Sequence, residues 1–181
     1  MEYFGTCGIV AITSRGGKGV VRLPFTLNQR IDALDQQIHA FVKTNDTAQR
    51  LMTISGIGPI TASALVATTG DPHLFKNSRQ FSAWLGLVPK QFSSGGKTKL
   101  GGITKAGDGY LRKLLIQGAR AVLFRAGTHQ DLRSQWINQL RARKPDNVVA
   151  TALAAKLART AWAIMTRDET YQVNHTILTG A

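Results

Sequence analysis

The chain has 181 residues, enough for one domain with a hydrophobic core or for a small domain with an arm. Its 43% hydrophobic content excludes an intrinsically disordered chain, and its formal net charge of +13 predicts a polyanionic partner. The single cysteine, Cys7, excludes a disulfide framework and fits a reducing, cytoplasmic location. We expect no signal peptide and no apolar run that is long enough to span a membrane.

The positive charge is concentrated in the middle of the chain. Residues 76–144 contain fourteen basic and two acidic side chains, whereas residues 1–75 contain six and five, and residues 145–181 contain three of each. Solubility alone needs no such concentration. The distribution therefore predicts a basic surface that contacts the phosphates of DNA or RNA.

The first predicted element is a helix over residues 27–43. Its apolar residues recur at steps of four, three, four and three, namely Leu27, Ile31, Leu34, Ile38 and Phe41. This spacing is typical of a coiled-coil seam, which would pair with a helix of this chain, of a second copy or of another protein. An ordinary amphipathic helix that packs on the core explains the same pattern equally well.

The expected fold class is mainly α. In chain order we expect an unassigned, poorly ordered arm (1–26), a coiled-coil-like helix (27–46), a helical domain (47–172) and a tail (173–181). Within the domain, apolar periodicity predicts further helices over 79–85, 110–125, 130–143 and 147–165. Phe81 and Trp84 are predicted to be core residues rather than a stacking platform for bases, and Val148 and Leu153 to face inward from the last helix.

Two glycines separate a pair of short helical segments near residue 57. Gly56 and Gly58 flank Ile57, Pro59 suits a first helical turn, and Asp46 is expected to cap the preceding helix. In a helix-hairpin-helix such glycines let the backbone approach a DNA phosphate, and the next helix offers its free N–H groups. A tight turn that merely packs two helices is the competing interpretation.

Residues 89–109 contain six glycines and four lysines and are predicted to form a long basic loop, with room for a hairpin inside it. The cations that could neutralise phosphates lie in this loop and at the start of the next helix: Lys90, Lys97, Lys99, Lys105, Arg112 and Lys113. Gly95 and Gly96 would let the backbone approach a phosphate beside two serines, Ser93 and Ser94.

Several ordered motifs together carry a family resemblance. They are Ile-Ser-Gly-Ile-Gly at 54–58, Gly-Leu-Val-Pro at 86–89, Ser-Gly-Gly at 94–96, Ile-Thr-Lys-Ala-Gly at 103–107 and Leu-Arg at 111–112. With this spacing, residues 27–172 resemble the C-terminal transposase domain, and the coiled coil before it, of the IS110 insertion-sequence family (also called IS116 and IS902).

The resemblance implies a DNA recombinase that a structured guide RNA directs. It further implies a resolvase-like N-terminal domain whose four acidic residues hold magnesium, and a C-terminal serine that attacks the DNA backbone. That serine precedes the two glycines of the Ser-Gly-Gly motif, which assigns the role to Ser94, with Ser93 as the neighbouring alternative. A serine hydroxyl needs a base or a metal to become a nucleophile.

The sequence departs from this pattern in its N-terminal part. Residues 1–75 hold five acidic side chains, among them Asp32 and Asp35, and none of their spacings resembles a two-metal site. We therefore expect a truncated transposase that holds no cofactor alone, binds nucleic acid, and cuts it only with an acidic domain supplied by a partner. Two alternatives are a non-catalytic DNA- or RNA-binding module and an interaction protein that joins full-length transposases through residues 27–43.

Overall fold

The structure is a computed structural model that describes residues 23–94, 97–128, 131–167 and 169–171. The chain divides between Gln37 and Ile38 into two compact units. The described residues form seven α-helices, a 3₁₀ turn at Pro72–Leu74 and a two-stranded sheet. The helices are α1 Leu23–Thr44, α2 Asp46–Met52, α3 Pro59–Thr69, α4 Ser78–Trp84, α5 Gly109–Arg125, α6 Leu132–Arg141 and α7 Asp146–Arg167. The strands are β1 Pro89–Ser94 and β2 Lys97–Ile103.

The mainly α fold class is thereby confirmed, and every predicted helix exists. The expectations for the arm up to residue 22 and for the tail from residue 173 lie outside the described residues. In α1 the seam residues Leu27, Ile31, Leu34 and Phe41 are exposed, whereas Val42 belongs to the hydrophobic core of the second unit. Pairing of this helix with a partner therefore stays a prediction.

Helix starts follow local capping rules, with one correction. Asn45, not Asp46, is the N-cap of α2, because its extended backbone lets the Oδ1 atom accept a hydrogen bond from Ala48 N at 2.8 Å. Asp46 lies in the first turn, where a carboxylate favours the helix dipole. Asn77 caps α4 and Asp108 caps α5 in the same way as Asn45, each with its side-chain oxygen.

Helix α7 is the centre of the core and packs against α2, α4, α5 and α6. Its buried face repeats at steps of four, four, four and three through Val149, Leu153, Leu157, Ala161 and Ile164. The prediction that Val148 faces inward is wrong, since it is 49% exposed. Val148 lies five residues before Leu153 and therefore falls out of phase with the stripe that Val149 begins.

By length and composition alone, α7 is apolar enough to cross a membrane, so the expectation that no run reaches that length is also wrong. Half of its most apolar window is buried inside the protein. The core helix of a globular domain has the same composition, and the packing of α7 against four other helices accounts for it here.

An aromatic cluster closes one side of this core. The ring centroids of Phe75 and Phe81 lie 5.1 Å apart in an edge-on arrangement, and Trp84 lies 5.3 Å from Phe75. Trp162 of α7 donates from Nε1 to Pro72 O at 3.0 Å and joins the 3₁₀ turn to the core. The cluster confirms that Phe81 and Trp84 are core residues.

A pair of glycines sets the distance between α5 and the turn that joins α2 to α3. A Cβ atom at Gly118 would lie 1.9 Å from Gly56 O, and a Cβ atom at Gly56 would lie 2.9 Å from Val122 Cγ2. Gly56 also has a φ of 102°, which glycine alone adopts readily. The two backbones can meet here only because both residues lack side chains.

We expect Gly118→Ala to destabilise the protein by about 1–3 kcal/mol, because overpacking outweighs the roughly 1 kcal/mol by which alanine favours a helix. Urea unfolding measures the difference. Gly127→Ala is the matched control: a Cβ atom there meets nothing within 4 Å, so its effect should stay within about 0.5 kcal/mol. Equal stability of both variants would refute the proposed contact.

Candidate nucleic-acid interface

The basic segment that the sequence predicts as a long loop is largely a β-hairpin. Strands β1 and β2 pair antiparallel, with Gln91 opposite Leu100 and Ser93 opposite Thr98. The register shifts between Pro89 and Gln91, which places an irregularity at the start of the hairpin. Alternation of apolar and polar residues is weak here, because both faces of the hairpin are solvated, and this explains why periodicity did not reveal the strands.

One face of the hairpin combines lysines with an aromatic ring. Phe92 is paired directly with Lys99, so their side chains lie on the same face. A Cβ atom at Gly101 would lie 3.1 Å from Phe92 Cε2 and 3.8 Å from Lys90 Cβ, which places Lys90 on this face as well. Phe92 is 60% exposed, and both lysines are exposed. We call Lys90, Phe92 and Lys99 the hairpin face.

The two serines occupy different positions in the hairpin. Ser93 lies on the opposite face, where its Oγ accepts a hydrogen bond from Gln91 Nε2 at 2.9 Å. Ser94 is the last residue of β1 and pairs with Lys97 across the turn. The side chains of Ser94 and Lys97 lie outside the described part of the structure, as do Gly95 and Gly96.

Close backbone contacts hold the base of the hairpin. Thr104 N donates to Val88 O at 2.9 Å, and Lys105 N donates to Gly86 O at 3.1 Å. A Cβ atom at Gly107 would lie 1.8 Å from Trp84 O, and one at Gly86 would lie 2.3 Å from Ala106 O. The Gly-Leu-Val-Pro and Ile-Thr-Lys-Ala-Gly motifs therefore fasten the hairpin to the end of α4 and the start of α5.

Lys105 has an unusual backbone conformation. Its φ is 56°, and among the described residues other than glycine it alone has a positive φ. A side chain in this left-handed region costs about 1–2 kcal/mol, and glycine would avoid that cost. Lys105 is exposed at the base of the hairpin, so its ammonium adds positive charge there at the expense of local stability.

We expect Lys105→Gly to raise the free energy of unfolding by about 0.5–1 kcal/mol, the relief of left-handed strain minus the greater entropy of glycine in the unfolded chain. Lys105→Ala removes the same charge but keeps the strain, and should leave stability near that of the wild type. Thermal and urea unfolding compare the three proteins. A Lys105→Gly variant that is less stable than Lys105→Ala would show that Lys105 is not strained.

Arg112 and Lys113, at the start of α5, differ in their surroundings. Arg112 is half-buried and donates from Nη1 to Leu85 O at 3.0 Å, so part of its guanidinium has a structural partner. Lys113 is exposed. A role of Arg112 in nucleic-acid binding stays a prediction, and its hydrogen bond to the end of α4 adds a structural reason for an arginine at this position.

The two glycines around Ile57 have different surroundings. Gly56 is accounted for by its packing on α5, which fits the tight-turn interpretation. Gly58 is exposed, a Cβ atom there would meet nothing within 4 Å, and it is the N-cap of α3 without a side-chain capping bond. The start of α3 therefore remains open to an anion such as a phosphate, as a helix-hairpin-helix would require.

Helix α5 brings these features together. Gly118 contacts the α2–α3 turn, and Arg112 contacts the carbonyl of Leu85 at the base of the hairpin. Six residues separate these two positions, which is about 9 Å along a helix. The helix therefore fixes both the turn that carries Gly58 and the base of the hairpin.

The sequence interpretation missed Phe92 and a basic group on α6 and α7. Lys156 Nζ lies 4.8 Å from the centroid of the Trp136 ring. Burial, together with the positive charges of Arg159 and Arg133, lowers the pKa of Lys156 below its ordinary value. A helical wheel could have put Arg133 and Trp136 on one face of α6, but only the fold brings Lys156 of α7 to them.

A magnesium site does not fit the described residues. Residues 23–94, 97–128, 131–167 and 169–171 contain no group of three or more His, Cys, Asp or Glu side chains arranged to hold a metal ion. Asp32 and Asp35 are exposed on α1.

Comparison with known proteins shows that the chain is similar to transposases. Residues 48–136, which run from α2 through the hairpin into α6, match the sequence pattern of one transposase family. That family is described as the Transposase IS116/IS110/IS902 family, and residues 48–136 of this chain match it. The resemblance that the ordered motifs carry is thereby confirmed.

Individual relatives agree with this result. A "Probable family 20 transposase" of Pseudomonas aeruginosa is 52% identical over 147 residues, which cover 81% of this chain and 44% of the relative. The transposase for insertion sequence element IS1328 of Yersinia enterocolitica is 43% identical over 145 residues, which cover 80% of this chain and 43% of the relative. The transposase for insertion sequence element IS1111A of Coxiella burnetii is also 43% identical, over 145 residues that cover 80% of this chain and 40% of the relative. The chain spans less than half the length of these relatives.

Proposed function

We propose that this chain acts in DNA transposition and grips the DNA backbone through the hairpin face. The observation that supports the proposal is the exposed placement of Lys90, Phe92 and Lys99 on one face of a hairpin whose base is fixed by backbone contacts. Two ammonium groups would neutralise phosphates, and the aromatic ring between them could stack on a base or a sugar. The close contact between the backbones of Gly86 and Ala106 fixes the base of the hairpin that carries this face.

The same face suits nucleic acid better than it suits a protein partner. Ammonium groups form strong, salt-sensitive contacts with phosphate, and each stacked base contributes about 1–3 kcal/mol on an aromatic side chain. Lys105 and Lys113 are also exposed near the base of the hairpin and the start of α5. A structured guide RNA, which the family resemblance implies, presents the same phosphates and unpaired bases, and a competition experiment with RNA separates the two ligands.

We expect the double variant Lys90→Ala/Lys99→Ala to weaken DNA binding and to reduce the slope of log Kobs against log salt by about 2, one unit for each lost phosphate contact. Fluorescence anisotropy over a range of salt concentrations measures both quantities. The matched control, Lys76→Ala/Arg79→Ala, removes two exposed cations of the α4 region and should change the slope little. Equal losses in the two variants would show that only total charge matters.

We further propose that Ser94 is the nucleophile, as the family resemblance implies. Its Oγ would form a bond to the phosphorus of a phosphodiester while the bond from that phosphorus to one deoxyribose oxygen breaks. The serine proton ends on the departing hydroxyl, and the reverse reaction rejoins the strand, so no oxidant or reductant is needed. Flanking cations such as Lys99 would stabilise the charge of the transition state, and the activating metal would be held by another domain or chain.

We expect a covalent protein–DNA adduct when this chain is mixed with DNA, magnesium and a full-length relative whose own serine is replaced. The relative supplies acidic residues in trans, and denaturing electrophoresis identifies the adduct by the mass of this chain. Ser94→Ala should abolish it, whereas the matched control Ser93→Ala should retain it. An adduct lost only in Ser93→Ala would reassign the nucleophile, and no adduct from the wild type would leave a non-catalytic binding module.

A further inference from the structure

A second group of cations lies on α6 and α7, away from the hairpin in sequence. Arg133 is on the first turn of α6, and Lys156 and Arg159 are neighbours on one face of α7. Lys156 lies over the ring of Trp136, and the charges of both arginines reach its ammonium group. We call Arg133, Lys156 and Arg159 the α6–α7 cation group.

Arg133 is the most enclosed member of the group. Its side chain is only 15% exposed, and its Nε and Nη1 atoms are buried without a hydrogen-bond partner among the described residues. The nearest carboxylate oxygen, Asp131 Oδ2, lies 3.8 Å from Nε, which is too far for a hydrogen bond. The other oxygen of Asp131 accepts a hydrogen bond from Ser134 Oγ, which, with the charge of Arg133, keeps the pKa of Asp131 below its ordinary value.

Charge compensation in the group is incomplete. Burial and two neighbouring cations lower the pKa of Lys156, and none of the causes acts in the opposite direction. Other arginines of the same region have close partners: Arg141 Nε lies 3.0 Å from Asp146 Oδ1, and Arg120 donates to Asn147 Oδ1 at 3.1 Å. Lys156 and Arg159 are exposed, and Arg133 adds a third positive charge behind Lys156. No carboxylate is among the causes that shift the pKa of Lys156, so an anion with several oxygens that contacts Lys156 and Arg159 would compensate their charge.

We propose that the α6–α7 cation group binds a backbone phosphate of the nucleic acid that the hairpin face grips, and so forms a second, separate contact point. The inference rests on the proposed function, because the polyanion is the one assigned to the hairpin. Arginine and lysine together suit a phosphodiester, since the guanidinium supplies directed N–H donors and the ammonium a point charge. The Trp136 ring holds the ammonium of Lys156 in place.

The test compares Lys156→Gln/Arg159→Gln with the charge-matched control Lys76→Gln/Arg79→Gln. Both replaced pairs are exposed, so the variants should fold, and circular dichroism checks this. The first variant should bind a DNA duplex roughly tenfold more weakly and lower the salt slope by about 2, while the control changes neither. Equal losses in both variants, or no loss in the first, would overturn the second contact point.

A lysine footprint provides an independent readout on the wild-type protein. Lys156 and Lys76 are both exposed, but the lowered pKa of Lys156 leaves more of its amine unprotonated at a given pH, so Lys156 should react with an acylating reagent faster than Lys76. A DNA duplex should protect Lys156 from this reaction. Protection of Lys156 by inorganic phosphate as effective as that by DNA would mean a free-anion site and would overturn the assignment to nucleic acid.

The outcomes separate this inference from the proposed function. Wild-type protein that shows no salt-dependent DNA binding would refute both. DNA binding that is lost in Lys90→Ala/Lys99→Ala but unchanged in Lys156→Gln/Arg159→Gln, with Lys156 unprotected, would leave the hairpin face standing and refute the second contact point alone.

Discussion

The close approach of two backbone segments at the base of the hairpin is the contact on which the candidate interface depends. Gly107 lies against the carbonyl of Trp84, and Gly86 lies against Ala106, with no room for a Cβ atom at either glycine. Since α4 and α5 are both packed in the core, this junction transmits the rigidity of the core to an exposed two-stranded ribbon, which would be marginally stable alone. Arg112 strengthens it by bonding to Leu85 O.

Close backbone packing also distinguishes Gly56 and Gly118 from Gly58. Gly56 and Gly118 meet each other inside the protein, so they are explained by packing. Gly58 faces open space at the start of α3, so it is the glycine of its pair that remains available to a ligand. In the sequence these glycines look alike, because a short Gly-x-Gly motif does not show which backbone another helix will approach.

The helices could be predicted because apolar spacing and capping residues are local signals. The stripe from Leu153 to Ile164 on α7 and the caps of α4 and α5 follow from residues a few positions apart. The hairpin could not be predicted as firmly, because its two solvated faces remove the alternation that marks a strand. Likewise, Val148 and Val149 are adjacent valines, and only the packing of α7 decides which of them is buried.

The distribution of charge in space could be predicted from the sequence only in part. Counting by segment located the basic hairpin, since its lysines are close in sequence, but residues 145–181 contain equal numbers of basic and acidic side chains. Lys156 belongs to that balanced segment, yet the charges that lower its pKa are those of Arg159 and of Arg133 on α6, and no carboxylate of the described residues is among the causes. Asp146, the acidic residue at the start of α7, instead pairs with Arg141. Net charge per segment therefore underestimates local potential wherever the fold pairs the acids elsewhere, and such uncompensated groups are where an anionic ligand gains the most.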